Sequence, residues 1–304
     1  MIPQIKRLLR ERNAVPTTAQ VSCIKLHNGV AHRNPKVSFV VFADGEPKLF
    51  LKTVREPKDS EVIRHANACL LSASSWVTEK KLSVRMPQSL WLTEIGASNI
   101  SAESIVLGRA LQASELSETT KAFALLEAWA RAGAGEAQSV SELKTLIDTF
   151  RRESRIASSA LNAELDRVFT ETLQKAGGDA VRLPRIPAHG DCTPSNFLVD
   201  TEGRLGLIDW DRFGDITLPL FDLLTFIERV APKRANPYQL YREQVLKHLE
   251  ILGLDQAAFP LIVFLMTVAT EWRKRLRFHP YEIERLDEAF LDNVKLAMGW
   301  AASI

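Results

Sequence analysis

The side chains with the most chemical capacity cluster in AHGDCTPSNFLVDTEGRLGLIDWD, residues 188–211. Asn196 lies five residues after Asp191, Asp209 thirteen after Asn196, and Asp211 two further on. Asp191 and Asn196 share one short loop, so both can converge on one point. The turn TEGR between the apolar runs NFLVD and LGLIDW predicts a hairpin that returns Asp209 beside them. Carboxylate and carboxamide oxygens gathered around a point are the donor set of a hard cation such as Mg²⁺, together with phosphate oxygens. The competing reading is a capped turn whose acids merely satisfy backbone amides.

A second group of interest is Lys52, in PKLFLKTV, where it alternates with Phe50 and Val54 on one face of a predicted strand. Three strands are expected over residues 20–54: AQVSCIKL, KVSFVVFA and PKLFLKTV. Asp44-Gly45 gives a hairpin turn between the last two, and an antiparallel meander results. Residues 59–77 read as a helix capped by Asp59 or Ser60. Two further strands are expected in VRMPQSLWL and ESIVLGRAL. From about residue 114 the pattern is helical, with a capping box at Ser139-x-x-Glu142. Leu161, Leu165, Val168 and Leu173 mark a helix face ending at Gly177-Gly178. FPLIVFLMTVA, residues 259–269, is too short to span a bilayer and reads as a buried helix. The division expected is a β lobe over residues 1–107 and a helical lobe over 108–304.

Composition narrows the class. Of 304 residues, 46% are hydrophobic and 25% charged, which fits a folded globular chain. Lys and Arg number 39 against 37 Asp and Glu, so the net charge of +2 argues for neither nucleic acid nor an anionic membrane as partner. Cys23, Cys69 and Cys192 are odd in number and form no CxxC pair, which fits a reducing, cytoplasmic setting. The charged N-terminus has no apolar signal core.

The loop, hairpin and strand lysine have the parts of the protein-kinase arrangement, in which an Asp precedes a metal-binding Asn by five residues and a second metal-binding Asp follows. With HGDCTPSN, LIDWD, the strand bearing Lys52, SIVLGRAL and GDITLPLFDLL, the chain resembles the aminoglycoside phosphotransferase and choline kinase-like family over nearly its whole length. The resemblance implies an α+β, two-lobed protein-kinase-like fold, with a small antiparallel-sheet N-lobe and a larger, mainly helical C-lobe. It implies transfer of the γ-phosphate of Mg-ATP, or GTP, to a hydroxyl of a small-molecule acceptor. Asp191 is then the catalytic base, Asn196 and Asp209 hold magnesium, and Asp211 aids the second metal or holds the loop. Lys52 steadies the phosphates, Gly29 in the loop HNGVAHRNP covers them, and the hinge near Leu107 and Arg109 receives the adenine. Asp222 braces the catalytic loop, and His189 is scaffold rather than base.

Five features depart from the family pattern or leave it open. Cys192, Thr193 and Ser195 stand where Leu, His and Gly are usual, and Cys192 reads as a small buried thiol. Kinases pair the strand lysine with a Glu of the following helix, but the expected positions, Ala68 to Leu71, contain no acid. Either Glu61 serves from an early turn or the pair is missing. The loop HNGVAHRNP has only Gly29 and no GxGxxG, and reads equally as a plain hairpin loop; with the missing Glu this makes a nucleotide-binding pseudokinase that regulates a partner the alternative function. RKRLR, residues 273–277, reads either as a solvated helix face or as a basic patch for an anionic or sugar-like acceptor. From residue 231 onward, ten Lys and Arg against nine Asp and Glu leave the acceptor's charge open.

Overall fold

The computed structural model describes residues 2–26, 35–153, 156, 158–233, 235–275 and 283–304. Gly29 and Asn28 lie outside the described residues, as does Arg277. In chain order the elements begin with α1 (Ile2–Glu11), β1 (Val21–Leu26), β2 (Lys36–Ala43), β3 (Glu46–Val54) and α2 (Glu61–Glu79). They continue with β4 (Ser89–Ile95), β5 (Ser98–Ser104), β6 (Arg109–Ala110), α3 (Leu116–Gly133), β7 (Ala137–Gln138), α4 (Val140–Glu153) and α5 (Ser159–Lys175). Then come β8 (Leu183–Pro184), β9 (Phe197–Val199), β10 (Leu205–Leu207), α6 (Phe221–Val230), α7 (Pro237–Leu240), α8 (Arg242–Ile251), α9 (Phe259–Arg275) and α10 (Ile283–Ala301). The chain divides into two compact units, Met1–Ala110 with Phe197–Phe213, and Leu111–Asn196 with Gly214–Ile304. The hairpin β9–β10 thus groups with the first unit, although its sequence falls within the stretch expected to form the helical lobe.

In the first unit the five-stranded antiparallel sheet has the order β1-β2-β3-β5-β4. Asp44 and Gly45 both have positive φ, which closes β2 onto β3 in a two-residue turn. Period-two alternation sorts the sheet into two faces. Val37, Phe39, Val41, Leu49, Leu51, Ile100 and Ala102 point to one core, closed by Ile5 and Leu9 of α1. Helix α1 is not anticipated by its charged, uncapped sequence. The opposite face carries Lys36, Ser38, Lys52, Ser101 and Glu103, since Lys52 lies across from Ser38 on one side and Ser101 on the other.

Local expectations fail in three places. The fifth strand is SNISAES, upstream of the apolar ESIVLGRAL, because Gly96 with φ +63 turns the chain early and residues 105–108 run as coil. Likewise β4 begins at Ser89, and residues 84–88 form a connecting segment rather than strand. Neither Asp59 nor Ser60 caps α2 through its side chain; the Ser60 hydroxyl instead accepts the Asn99 amide at 2.6 Å.

The second unit is helical. The capping box forms as expected, with the Ser139 amide donating to Glu142 at 2.7 Å. Helix α5 buries Leu161, Leu165, Val168 and Leu173 and stops before Gly177, whose φ is +115. Helix α9 is apolar on nearly every side and correspondingly buried, packing against α4, α5 and α10. No single helix among the described residues is long and apolar enough to cross a membrane.

Candidate active site

In the first unit, Lys52 sits at the centre of a buried charge cluster. Its Nζ donates to Asp211 Oδ1 at 2.7 Å and lies 2.7 Å from Glu103 Oε1. The other Asp211 oxygen pairs with Lys36. Lys52 is 5% exposed and Glu103 3%, so these charges interact with little screening by water. Burial works against the lysine's charge, but Asp211, Glu103 and Asp209 outweigh it and hold its pKa above the ordinary value. Asp211 is likewise pushed up by burial and then held well below the usual carboxylate range by Lys52 and Lys36. Glu103 is raised, chiefly by burial, with Lys52 pulling the other way.

The expected partner of Lys52 is corrected here. Glu61 has a side chain 84% exposed, 3.8 Å from Arg64 and not part of this cluster. The acid comes from β5 instead. Register explains why: Phe50 lies opposite Glu103 and Lys52 opposite Ser101, so Lys52 and Glu103 are diagonal neighbours on one face. Their separation of fifty-one residues leaves no local trace of the pairing in the sequence. A lone acid in a Ser- and Ala-rich strand was the signal available.

Asp209 follows β10 with φ +64, a left-handed conformation that non-glycine residues adopt only when their surroundings enforce it. The next residue, Trp210, is fully buried, and its Nε1 donates to Leu207 O at 2.7 Å. Its ring packs on Phe213, which in turn packs on Trp76. Trp210 is thus a packing residue, and it anchors the segment that bears Asp209 and Asp211.

Leu107 and Arg109 lie in the segment that joins β5 to β6. Leu107 is 59% exposed, and its carbonyl accepts from Arg85 at 3.2 Å. Arg85 also donates to Arg204 O and pairs with Asp200, tying this segment to the β9–β10 hairpin. Gly108 has φ +157, and a Cβ there would lie 2.9 Å from Val199 O, so only glycine fits. Arg109 pairs with Val199 in the three-stranded sheet β10-β9-β6, a strand pairing that the short sequence signal does not announce.

In the second unit the loop 188–196 is braced on both sides. Buried Asp222, in the first turn of α6, accepts the amides of His189 at 2.6 Å and Gly190 at 2.9 Å. The Gly190 carbonyl accepts from Arg273, whose guanidinium stands over the Phe221 ring. The Asp191 amide donates to His189 Nδ1 at 3.3 Å, so the completely buried His189 acts as an acceptor within the scaffold. Asn196 Nδ2 donates to the Asp191 carbonyl at 2.8 Å and to its carboxylate at 3.2 Å. That geometry commits the amide nitrogen to the loop and leaves the amide oxygen as the donor for a cation. Cys192 is buried beside Asp222, and burial followed by that carboxylate pushes its thiol well up, so it is poorly suited to modification.

The basic run is also corrected. Arg273 turns to the Gly190 carbonyl in the loop 188–196. Arg275 is buried, 3.0 Å from Glu271 and 2.6 Å from Asp287. Lys274, between them, is exposed and 3.5 Å from Glu271, so of the described residues of this run it alone shows the solvated face.

Asp191 and Asn196 therefore meet in one unit, and Lys52 and Asp211 meet in the other. Within each unit taken by itself there are oxygens of the kind a hard cation takes: the Asn196 amide oxygen in one and the Asp209 carboxylate in the other, whereas both Asp211 oxygens are engaged by Lys36 and Lys52.

Comparison with known proteins bears on the family and the fold. The family model described as the phosphotransferase enzyme family matches residues 36–262. A search of curated proteins by sequence returns no match. Among solved structures, the chain is similar to a GDP complex of an aminoglycoside 2'-phosphotransferase mutant, at 11% identity and a TM-score of 0.59, covering 99% of this chain and 97% of that one. It is similar to aminoglycoside phosphotransferase APH(4)-Ia in a ternary complex with ADP and hygromycin B, at 17% identity and 0.56, over 98% and 96%. It is also similar to choline kinase LicA from Streptococcus pneumoniae, at 15% identity and 0.57, over 99% and 100%. At these identities the solved structures establish a shared kinase-like fold. The family match spans most of the chain, and the chain belongs to the phosphotransferase enzyme family.

Proposed function

We propose that the protein transfers the γ-phosphate of magnesium-bound ATP, or GTP, to a hydroxyl of a small molecule. The observation that carries this reading is the braced loop in which Asp191 and Asn196 are bonded to each other. Asp191 orients the acceptor hydroxyl and takes its proton. Asn196 and Asp209 give oxygens to the cation, with Asp211 in support. Magnesium, when bound, neutralises phosphate charge as the transfer proceeds. Lys52 donates to the phosphates, and backbone groups near Leu107 and Arg109 hold the base. Residues 1–107 then form the nucleotide-binding lobe, and 108–304 carry the catalytic loop and the acceptor pocket.

The acceptor reading draws on a cavity of about 320 Å³ in the helical unit, with Glu228, Lys233, Thr270, Glu271, Lys274 and Trp300 among its lining residues. Thr270 and Lys274 lie within one turn of Arg273, which bonds the catalytic loop. Carboxylates and ammonium groups are mixed there, which suits a polar acceptor of low net charge. Solved relatives bind hygromycin B, streptomycin or, by name, choline. The alternative of a nucleotide-binding pseudokinase rests on the absent helix Glu and on a nucleotide loop with only Gly29; Lys52 has a buried acid in place of the first, and the loop lies outside the described residues.

The test starts with thermal unfolding in Mg·ATP, Mg·GTP and no nucleotide. A ligand at a hundred times its Kd adds about 2.7 kcal/mol of stability. A magnesium-dependent rise is expected, followed by phosphorylation of a member of an alcohol panel. Asp191→Ala should keep the nucleotide shift and lose about 10²–10⁴-fold in transfer. Full turnover in that variant would refute the assignment, and nucleotide binding with no transfer to any alcohol would favour the pseudokinase.

A further inference from the structure

We propose that Glu103 is the positioning residue that holds Lys52 for the nucleotide phosphates, replacing the helix carboxylate that kinases use. This rests on the phosphotransferase reading above and goes beyond it by naming a residue and a consequence for control.

Several observations converge on Glu103. It is buried, and its Oε1 stands at ion-pair distance from Lys52 Nζ without the alignment of a hydrogen bond. It reaches the lysine from β5, the strand hydrogen-bonded to β3, rather than from α2. Helix α2 has no acid between Ala68 and Leu71 and turns Glu61 outward. The two acids beside Lys52 are not equivalent. Asp211 also pairs with Lys36 and lies two residues from Asp209, in the segment proposed to serve the metal. Glu103 lies on the central part of the sheet, where it can hold the lysine while Asp211 is engaged elsewhere.

An ammonium group has three protons to donate. One goes to Asp211, Glu103 stands ready to take a second, and a third remains for a phosphate oxygen. Without Glu103, the lysine would lean more heavily on Asp211, and the phosphates would compete with that carboxylate for the same ammonium. In enzymes whose partner acid lies on a helix, movement of that helix breaks the ion pair and switches activity. Here strand pairing fixes the acid to the lysine's own sheet, so the lysine stays in place whatever α2 does.

Calorimetric binding of Mg·ATP and of adenosine to the full-length protein tests this, with GTP and guanosine substituted if the wild type prefers them. Glu103→Gln should weaken Mg·ATP about tenfold, the scale of one charge-assisted contact. Adenosine carries no phosphate for Lys52, so its affinity should stay within about twofold, a selectivity that mere damage to the sheet would not produce. Glu61→Ala should bind both ligands as the wild type does. In a Lys52→Met background, Glu103→Gln should add no further loss for Mg·ATP. If Glu103→Gln does not fold, Glu103→Asp carries the same comparison, because it keeps the charge but withdraws it by one methylene. Unchanged Mg·ATP affinity, or equal loss for adenosine, would overturn the role of Glu103. A wild type that binds neither Mg·ATP nor Mg·GTP would overturn the phosphotransferase reading itself, and the inference with it.

Discussion

His189 precedes the candidate base by two residues, and a histidine there invites assignment as the proton acceptor. Its Nδ1 instead accepts the Asp191 amide, within a ring of contacts that define the loop. Asp222 is the hub, taking two backbone amides and sitting beside the Cys192 thiol. Burial raises its pKa, against the pull of His189 and the two amides. Asp222→Ala would leave both buried amides without an acceptor, at about 1–3 kcal/mol each. A loss of about 2–5 kcal/mol is expected in urea unfolding. A loss below about 1 kcal/mol would show that the loop holds its shape without this brace. The spacing of His189, Asp191 and Asn196 made this loop legible, because all its members lie within eight residues. Arg273 was not legible, since a basic helix end looks the same whether it faces solvent or a carbonyl.

At the scale of elements, the β9–β10 hairpin decides where Asp209 and Asp211 stand. Its turn is organised by Asp200, whose carboxylate accepts the amides of Glu202 at 2.9 Å and Arg204 at 2.8 Å, and pairs with the Arg204 side chain. The Arg204 amide is the main reason its pKa falls to about 2; slight burial opposes this, and the Arg204 guanidinium and Glu202 amide add to it. A carboxylate whose pKa is lowered by folding stabilises the fold above its unfolded value, near 4 on the ordinary scale (~3.9). That contribution is lost as pH falls through the folded value. Asp200→Asn keeps an acceptor oxygen and removes the charge. It should be less stable than wild type at pH 7, with the gap closing as pH drops from about 4 to about 2. Denaturant unfolding across that range checks this, and a gap independent of pH would mean that the charge contributes nothing. The hairpin strands could be read from apolar runs around a turn, whereas β5 could not. Its Ser, Asn, Ala and Glu residues have little strand propensity of their own, and flanking strands impose the conformation.

For the whole molecule, each compact unit is assembled from two separate stretches of chain. The first unit borrows residues 197–213, which pair with β6 through β9, fill space beside Trp76 through Phe213, and supply Asp211 to Lys36 and Lys52. A fragment of residues 1–110 would leave β6 unpaired and take Asp211 away from the buried Lys52 and the half-buried Lys36. It should show no cooperative thermal transition by circular dichroism, whereas the full chain should show one. A sharp transition in the fragment would mean that the sheet and its helices are self-sufficient.

By itself the amino-acid sequence determined the meander, the clustering of Asp191 and Asn196 on one loop, the hairpin and the buried helix α9. Each depends on periodicity, turn chemistry or spacing within a short window, where neighbours in sequence are neighbours in space. Tertiary structure alone decided which acid meets Lys52, where Arg273 and Arg275 turn, and that β6 closes a third strand onto the hairpin. Those outcomes depend on strand register and helix packing between distant stretches. A single step in register would have turned Glu103 to the opposite face, and no local pattern records that choice.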